Sequence, residues 1–292
     1  MICKELPPVL GQYRKGVQMK NMTWFNVGGI AEVLFKPANI DDLSYFIKSV
    51  DFQVNVIGVA SNLIIRDGLI KGAIVKLGKG FTNIFCNATT ITVGCAVLLA
   101  NLAVFAKNNG ISGFEFMVGI PGTVGGAIAM NAGAYGYDIS SVLQSVKAID
   151  ENGNIHVLSK NDIGYYYRGN SLNNNWIFIE ATFIGKKLQK DVIASTMDKL
   201  ICKRNHDQPI RVKTGGSTFK NPTGYKAWEL IDAASCRGMK MGGAMVSDKH
   251  CNFLVNYNNA TAGDLENLGN KVRDKVKNKF NIDLEWEIKF LG

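Results

Sequence analysis

Proline and histidine are scarce in this sequence, with 6 and 3 in 292 residues. No run of about 18 apolar residues occurs, which excludes an apolar helical membrane span. The start, Met1–Gly16, carries Lys4, Glu5, Arg14 and Lys15 and has no apolar core, so it does not read as a secretory signal. Cysteine stands only at 3, 86, 95, 202, 236 and 251, scattered and never as CxxC. That argues against a disulfide frame or zinc site and for the reduced thiols of a cytoplasmic protein. His156, His206 and His250 are not paired at helical spacing, which argues against a histidine metal site. GxGxxG after a strand, GxxxxGK[ST] and GxSxG are all missing, so the dinucleotide, P-loop and nucleophile-elbow fingerprints are excluded.

What is present points to a globular α+β protein. Apolar residues make up 47%, enough for a sizeable core. The length predicts two domains, or three small ones. The net charge of +9 is modest, whereas glycine, at 31 residues, is in excess. Many glycines with few prolines imply tight turns or backbone packed close to a ligand.

Strands are predicted over 31–36, 54–59, 73–77, 90–93, 142–150, 154–158, 176–184, 239–246, 253–257 and 284–290. Leu43, Phe46, Ile47 and Val50 follow Asp41 and Asp42 at helical spacing, with the acids on the first turn. Further helices are expected from Leu99 to a stop at Asn108-Asn109-Gly110, over 190–204 and over 225–235. A last one follows a capping box of Thr261 and Asp264. Glu151-Asn152-Gly153-Asn154 reads as a hairpin turn.

Five segments carry candidate chemistry. Gly58-Val59-Ala60-Ser61-Asn62-Leu63 leaves a strand. Gly119-Ile120-Pro121-Gly122-Thr123-Val124-Gly125-Gly126-Ala127 lies in a stretch with six glycines in twenty residues. Both can offer bare N–H groups to oxyanions, or can simply be tight turns. In Lys213-Thr214-Gly215-Gly216-Ser217-Thr218-Phe219-Lys220-Asn221-Pro222, the serine can donate a proton, or the segment is a polar turn. In Tyr165-Tyr166-Tyr167-Arg168-Gly169, the arginine can grip a carboxylate or sit at the surface. In Leu284-Glu285-Trp286-Glu287-Ile288, strand alternation puts Glu285 and Glu287 on one face, and either can face solvent.

Taken in order, these segments, with Thr23-Trp24-Phe25-Asn26-Val27-Gly28-Gly29 and Asn131-Ala132-Gly133-Ala134, resemble the UDP-N-acetylenolpyruvoylglucosamine reductase family over nearly the whole chain. The resemblance is to its shorter form, there being no room for an extra tyrosine-bearing loop between Ile184 and Arg204. It implies a two-part FAD-binding region of the vanillyl-alcohol-oxidase type and a smaller C-terminal substrate domain. The expected division is 1–70, joined by 281–292, then 71–205, then 206–280. The implied cofactors are FAD and NADPH, and the implied substrate is a UDP-sugar enolpyruvyl ether. A cytoplasmic monomer that binds neither nucleic acid nor membrane is expected.

The resemblance also assigns residues. Hydride from flavin N5 would leave negative charge that Arg168 and Glu287 stabilise, Glu287 in an uncharged or hydrogen-bonded form. Ser217 would then supply the proton. FAD contacts fall on Gly58, Val59, Ala60, Ser61, Asn62, Leu63, Gly119, Ile120, Pro121, Gly122, Thr123, Gly125, Gly126, Ala127, Asn131 and Gly133. Substrate contacts fall on Tyr167, Arg204, Gln208, Lys220, Asn221, His250 and Asn252, with Lys213 a further diphosphate or sugar candidate. One departure is Ala60, where the family usually has glycine, so the loop is expected to avoid positive φ there.

Two rival readings compete with this one. Another flavoenzyme of the same fold would not need the arginine, serine and glutamate together. A nucleic-acid binder is suggested by Lys271, Arg273, Lys275, Lys277 and Lys279, but these share an amphipathic helix with Val272 and Val276 and read as its solvated face.

Overall fold

The computed structural model describes residues 5–173 and 175–292; Cys3 and Lys4 lie outside the described residues. Among the described residues the α-helices are α1 (Ile40–Ser49), α2 (Leu99–Asn108), α3 (Val124–Met130), α4 (Lys160–Ile163), α5 (Lys190–Asp207), α6 (Ala227–Ala233) and α7 (Ala262–Phe280). No helix among the described residues is long and apolar enough to cross a membrane. The chain divides into two compact units. The first comprises Met1–Lys15, Val33–Gly58 and Gly72–Arg204, and the second Gly16–Glu32, Val59–Lys71 and Asn205–Gly292. Residues 16–32 and 59–71, grouped in the sequence with the first subdomain, thus cluster with the C-terminal third.

The first unit has two cores. In one, α1 packs Leu43 and Phe46 against Val33, Phe35, Ala73 and Val75. Asn39 caps α1 by accepting from Asp42 N at 2.9 Å, and the Asp42 carboxylate takes N–H groups from Leu10, Gly11 and Ala38. The sheet beside it runs Gln12–Gln18, Ile30–Lys36, Leu69–Lys76, Val54–Ile57, the last two parallel. The second core lies on an antiparallel five-stranded sheet, in the order Ile155–Ser159, Leu143–Ile149, Ile177–Ile184, Thr90–Gly94, Ile84–Asn87. Helices α2 and α3 supply Leu99, Leu102, Val124 and Ile128 to it, all fully buried.

The second unit sets α6 and α7 beside a three-stranded antiparallel sheet, Lys240–Met241, Ala244–Val246 and Leu254–Asn256. Leu265, Leu268, Val272 and Val276 of α7 fill its core with Phe25, Ile64, Phe219 and Leu284. The capping box forms as expected, and Asp67 adds a second cap on α7, accepting from Ala262 N and Gly263 N.

Three elements differ from the sequence reading. The stretch 239–246 is a hairpin and not one strand, because Gly242 takes φ +53° and Asp264 holds Gly243 N. Regular strand at the C-terminus covers Lys289–Leu291 alone, paired in parallel with Leu63–Ile65. Before that the backbone bonds to another partner: Lys220 N donates to Glu285 O and Glu287 N to Thr218 O. The change of partner breaks the ladder, and Glu285 and Glu287 lie in unlike surroundings. Glu285 is exposed and paired with Lys220 Nζ at 3.1 Å, whereas Glu287 is half-buried. The glycine-rich stretch is also more regular than a run of turns. It folds as a 3₁₀ turn, Glu115–Gly119, followed by α3.

Candidate active site

In the first unit the glycine-rich segment is pinned at both edges. Thr123 caps α3, its Oγ accepting from Gly126 N at 3.3 Å. Val124 N donates to Val97 O and Gly125 N to Cys95 O, while Leu99 N donates to Gly122 O. The glycines serve two purposes. Gly58 and Gly125 admit close packing: a Cβ on the first would run into Thr123 Oγ, and on the second would come within 3.1 Å of Cys95 Cβ. Gly119 makes room for the Tyr135 ring, 3.2 Å from such a Cβ. Gly126 differs, being exposed, with Thr123 Oγ the nearest atom to a built Cβ at 3.5 Å. Ile120, Pro121, Gly122 and Gly133 are half-buried, and Ala127 turns into the core. Gly126 N–H is thus already held by Thr123 Oγ, and what the exposed Gly126 leaves uncrowded is the Cα side of the backbone, where a ligand can approach closely.

Arg168 occupies a two-residue turn, Tyr167-Arg168, between strands Tyr165–Tyr166 and Gly169–Asn170. Its φ of +57° is unusual for a residue with a side chain. Arg168 Nη2 donates to Gly133 O at 2.8 Å, and the guanidinium carbon lies 5.0 Å from the Tyr167 ring centroid. A Cβ on Gly133 would run first into the Tyr137 backbone carbonyl at 2.5 Å, then Asp138 Cβ at 2.8 Å and Arg168 Nη1 at 3.1 Å, so the facing strand 137–138 excludes a side chain there before the guanidinium does. Asn131, expected as a cofactor contact, is buried and braces this turn. Its Nδ2 donates to Tyr166 O and Asp138 Oδ2, and its Oδ1 accepts from Ser140 N. Arg204 lies in the last turns of α5, half-buried. Tyr135 ties α5 to the glycine segment through Leu200 O.

In the second unit the loop after Gly58 contains a correction: Ala60 adopts φ +50°, the left-handed conformation the sequence reading expected it to avoid. Its carbonyl accepts from Trp24 N at 3.3 Å, which holds the loop so that an alanine is forced where glycine would be relaxed. Val59 is half-buried and Ser61 buried, and Leu63 opens the strand 63–65. Asn62 Nδ2 donates to Glu287 O at 3.0 Å, and Asn62 O accepts from Lys289 N at 3.1 Å.

Ser217 and Glu287, seventy residues apart in the chain, are joined through the residue between Ser217 and Phe219. Thr218 O accepts Glu287 N at 2.9 Å, Thr218 N donates to Asn252 O at 2.7 Å, and Thr218 Oγ accepts Leu254 N at 3.1 Å. Ser217 forms an isolated antiparallel bridge with Phe253, and Phe219 one with Trp286. Asn252, expected to touch substrate, instead makes a two-point bond with Phe219: Oδ1 accepts Phe219 N at 2.9 Å and Nδ2 donates to Phe219 O at 2.8 Å. Asn221 Oδ1 accepts Ala227 N at the start of α6. His250 packs edge-on to Phe253 and accepts Asn252 N on Nδ1 at 3.3 Å. Burial pushes the His250 imidazole below its ordinary value, in keeping with a neutral acceptor. Lys213 O holds Asn256 N, and Gln208 is half-buried. Sequence reading missed Thr218 and Asn256 as braces; their one signal was a position beside the motif residues. Asn256, also buried, donates to Phe25 O and accepts from Ala260 N.

Comparison with known proteins agrees with this architecture. Residues 31–159 match an FAD binding domain, and residues 208–291 match the UDP-N-acetylenolpyruvoylglucosamine reductase C-terminal domain. The UDP-N-acetylenolpyruvoylglucosamine reductase of Anaplasma marginale is 58% identical over 291 residues, covering 100% of this chain and 97% of that protein. The chain belongs to the UDP-N-acetylenolpyruvoylglucosamine reductase family. Another reductase of the family, from Rickettsia typhi, is 47% identical, covering 98% of each chain. The crystal structure of the reductase from Thermus caldophilus superposes with a TM-score of 0.85 at 30% identity, covering 97% of this chain and 99% of that one. As a reductase of this family the protein is an FAD-dependent oxidoreductase that reduces the enolpyruvyl ether of UDP-N-acetylglucosamine.

Proposed function

We propose that Arg168, Ser217 and Glu287 carry this reductase's chemistry toward UDP-N-acetylmuramate, a peptidoglycan precursor, with NADPH as reductant. When bound and reduced by NADPH, FAD would supply the hydride that the enol ether's terminal carbon takes. The chain's residues manage the charge and the proton that follow. Arg168, anchored by Gly133 O, keeps its guanidinium aimed before substrate arrives, so no reorganisation is needed as charge develops on the carboxylate side. Glu287 acts in an uncharged or hydrogen-bonded form, because a bare ionised carboxylate would repel that charge. Ser217 Oγ holds the proton for the neighbouring carbon. A serine hydroxyl is a weak acid, so its placement has to be tight for transfer to compete.

The observation supporting this reading most strongly is the Thr218 carbonyl bond to Glu287 N, which couples Ser217 and Glu287 into one rigid piece. Gly58 to Leu63, Gly119 to Ala127 and Gly133 are the backbone we assign to FAD, with Gly126 the open point of approach. Tyr167, Arg204, Gln208, Lys220, Asn221 and His250 remain the candidates for the UDP-sugar. The three-part division at residues 70 and 205 is retained as the functional assignment of the chain. We also assign the protein to the cytoplasm, as a monomer without nucleic-acid or membrane partners.

The test is Ser217→Ala under anaerobic conditions. NADPH should bleach the flavin as in the parent, while reoxidation by UDP-N-acetylglucosamine enolpyruvate slows by about 10²–10⁴-fold. Normal turnover by this variant removes Ser217 as the proton donor.

A further inference from the structure

We propose that Asn252 is a positioning residue for Ser217, holding the donor through the Phe219 peptide and making no contact with substrate. The inference rests on Ser217 being the proton donor. Its basis is the hydrogen-bond inventory of one buried amide. Asn252 is 4% exposed. Its Oδ1 accepts Phe219 N and its Nδ2 donates to Phe219 O, so both polar ends face a single residue's backbone. Its own carbonyl accepts Thr218 N, which makes three bonds to the two residues after Ser217. Its backbone N–H is directed to His250 Nδ1.

The segment needs such a brace. Gly216 takes φ +81°, and Ser217 and Phe219 each make only an isolated bridge, so no regular ladder sets the height of the serine. A side-chain amide suits this because its donor and acceptor are separate atoms that reach the C=O and N–H of one residue together; a carboxylate lacks the donor, and a hydroxyl has only one oxygen for both roles. Thr218 Oγ accepting Leu254 N secures the other side of the same peptide. Substrate could reach the Asn252 amide only by breaking one of these bonds and stranding a buried backbone group.

Two variants test the proposal: Asn252→Ala, which removes the brace, and the isosteric Asn252→Asp, which keeps the acceptor for Phe219 N and remains informative if the alanine variant does not fold. Each is measured alone and with Ser217→Ala, by flavin bleaching with NADPH, by reoxidation with UDP-N-acetylglucosamine enolpyruvate, and by amide-proton exchange at Phe219. Bleaching should stay within about twofold of the parent, because that step does not use the serine. Reoxidation should slow by about 10–10²-fold, with KM for the enolpyruvyl substrate little changed. In the Ser217→Ala background the same substitutions should cost almost nothing, since a brace for an absent hydroxyl has nothing to place. Exchange at Phe219 N should quicken in Asn252→Ala. A rise in KM with unchanged reoxidation at saturation would make Asn252 a substrate contact, and losses that multiply with Ser217→Ala would make its role independent of the serine; either overturns the proposal. If Ser217→Ala alone reoxidises normally, the donor assignment is what fails.

Discussion

The turn that carries Arg168 and the segments that carry Ser217 and Glu287 solve the same problem by different means. In the first unit, position is obtained largely by omission. Gly133 has no side chain, so the guanidinium can lie on its carbonyl, and Gly58 and Gly125 let the glycine segment close on its neighbours. In the second unit, position is obtained by addition: Asn62, Asn252 and Asn256 each direct a side-chain amide into irregular backbone. One device is common to both. Asn131 braces the Arg168 turn as Asn252 braces the Ser217 segment, and both are buried. A functional group on irregular chain has no ladder to hold it, and a buried neutral amide supplies the missing donor and acceptor together.

The comparison can be broken most severely at Arg168. Arg168→Ala should lower the reoxidation rate by about 10²–10³-fold while leaving the thermal midpoint nearly unchanged. Arg168→Lys should recover little, because an ammonium cannot keep the fork toward Gly133 O and the developing charge together. A lysine variant with near-parental rates would show that charge alone suffices.

A smaller effect sharpens the idea of position by omission. Gly133→Ala should destabilise the protein by about 1–3 kcal/mol in chemical denaturation, since the new methyl meets the Tyr137 carbonyl and Asp138 Cβ, and also slow reoxidation, since it crowds the Arg168 guanidinium. Loss of stability with parental kinetics would separate Gly133 from the arginine.

Asp264 tests the second unit away from the reaction. It closes the capping box of α7 and holds Gly243 N, so Asp264→Ala should cost about 1 kcal/mol and leave kinetics unchanged. The Thr261 backbone N–H holds the Asp264 carboxyl below the ordinary carboxylate range. A carboxyl depressed by folding stabilises above its unfolded value, about 3.9, and that contribution is lost as pH falls through the lower folded value. The stability gap between parent and variant, from melts across pH 2 to 7, should therefore narrow only at the acid end. A gap that widens toward acid would contradict the assignment.

The mildest change should be a gain. Ala60 sits at φ +50°, so Ala60→Gly relieves left-handed strain of about 1 kcal/mol and gives part of it back in unfolded-chain entropy. Net stabilisation below about 1 kcal/mol is expected, with flavin content unchanged. A destabilised variant would mean the methyl packs favourably enough to outweigh its backbone.

Much of the local structure was legible from periodicity and caps. The expected α1 appears with its acidic first turn and α7 with its capping box, and the hairpin at Gly153 lies between the paired strands 143–149 and 155–159. The places that misled were those where a nonlocal partner decides. Pattern alone suggested a continuous strand to Phe290, yet the backbone leaves Thr218 and Lys220 to join the strand beginning at Leu63. Ala60 was expected at negative φ from its own chemistry, yet the loop that holds it sets the opposite sign. Asn131, from its motif, and Asn252, as a diphosphate or sugar candidate, were read as ligand contacts; the backbone partners each one holds were not legible from either position.

The residues alone pointed to the family and the reaction class, and nominated the three side chains proposed to perform it, because a collinear set of rare motifs is a property of the chain. The tertiary structure decided how Ser217 and Glu287 come to share one piece of backbone, and why Gly133 and Asn252 are the residues they are. Those facts depend on the path that distant segments take past one another, and periodicity within a segment carries no information about what lies across from it.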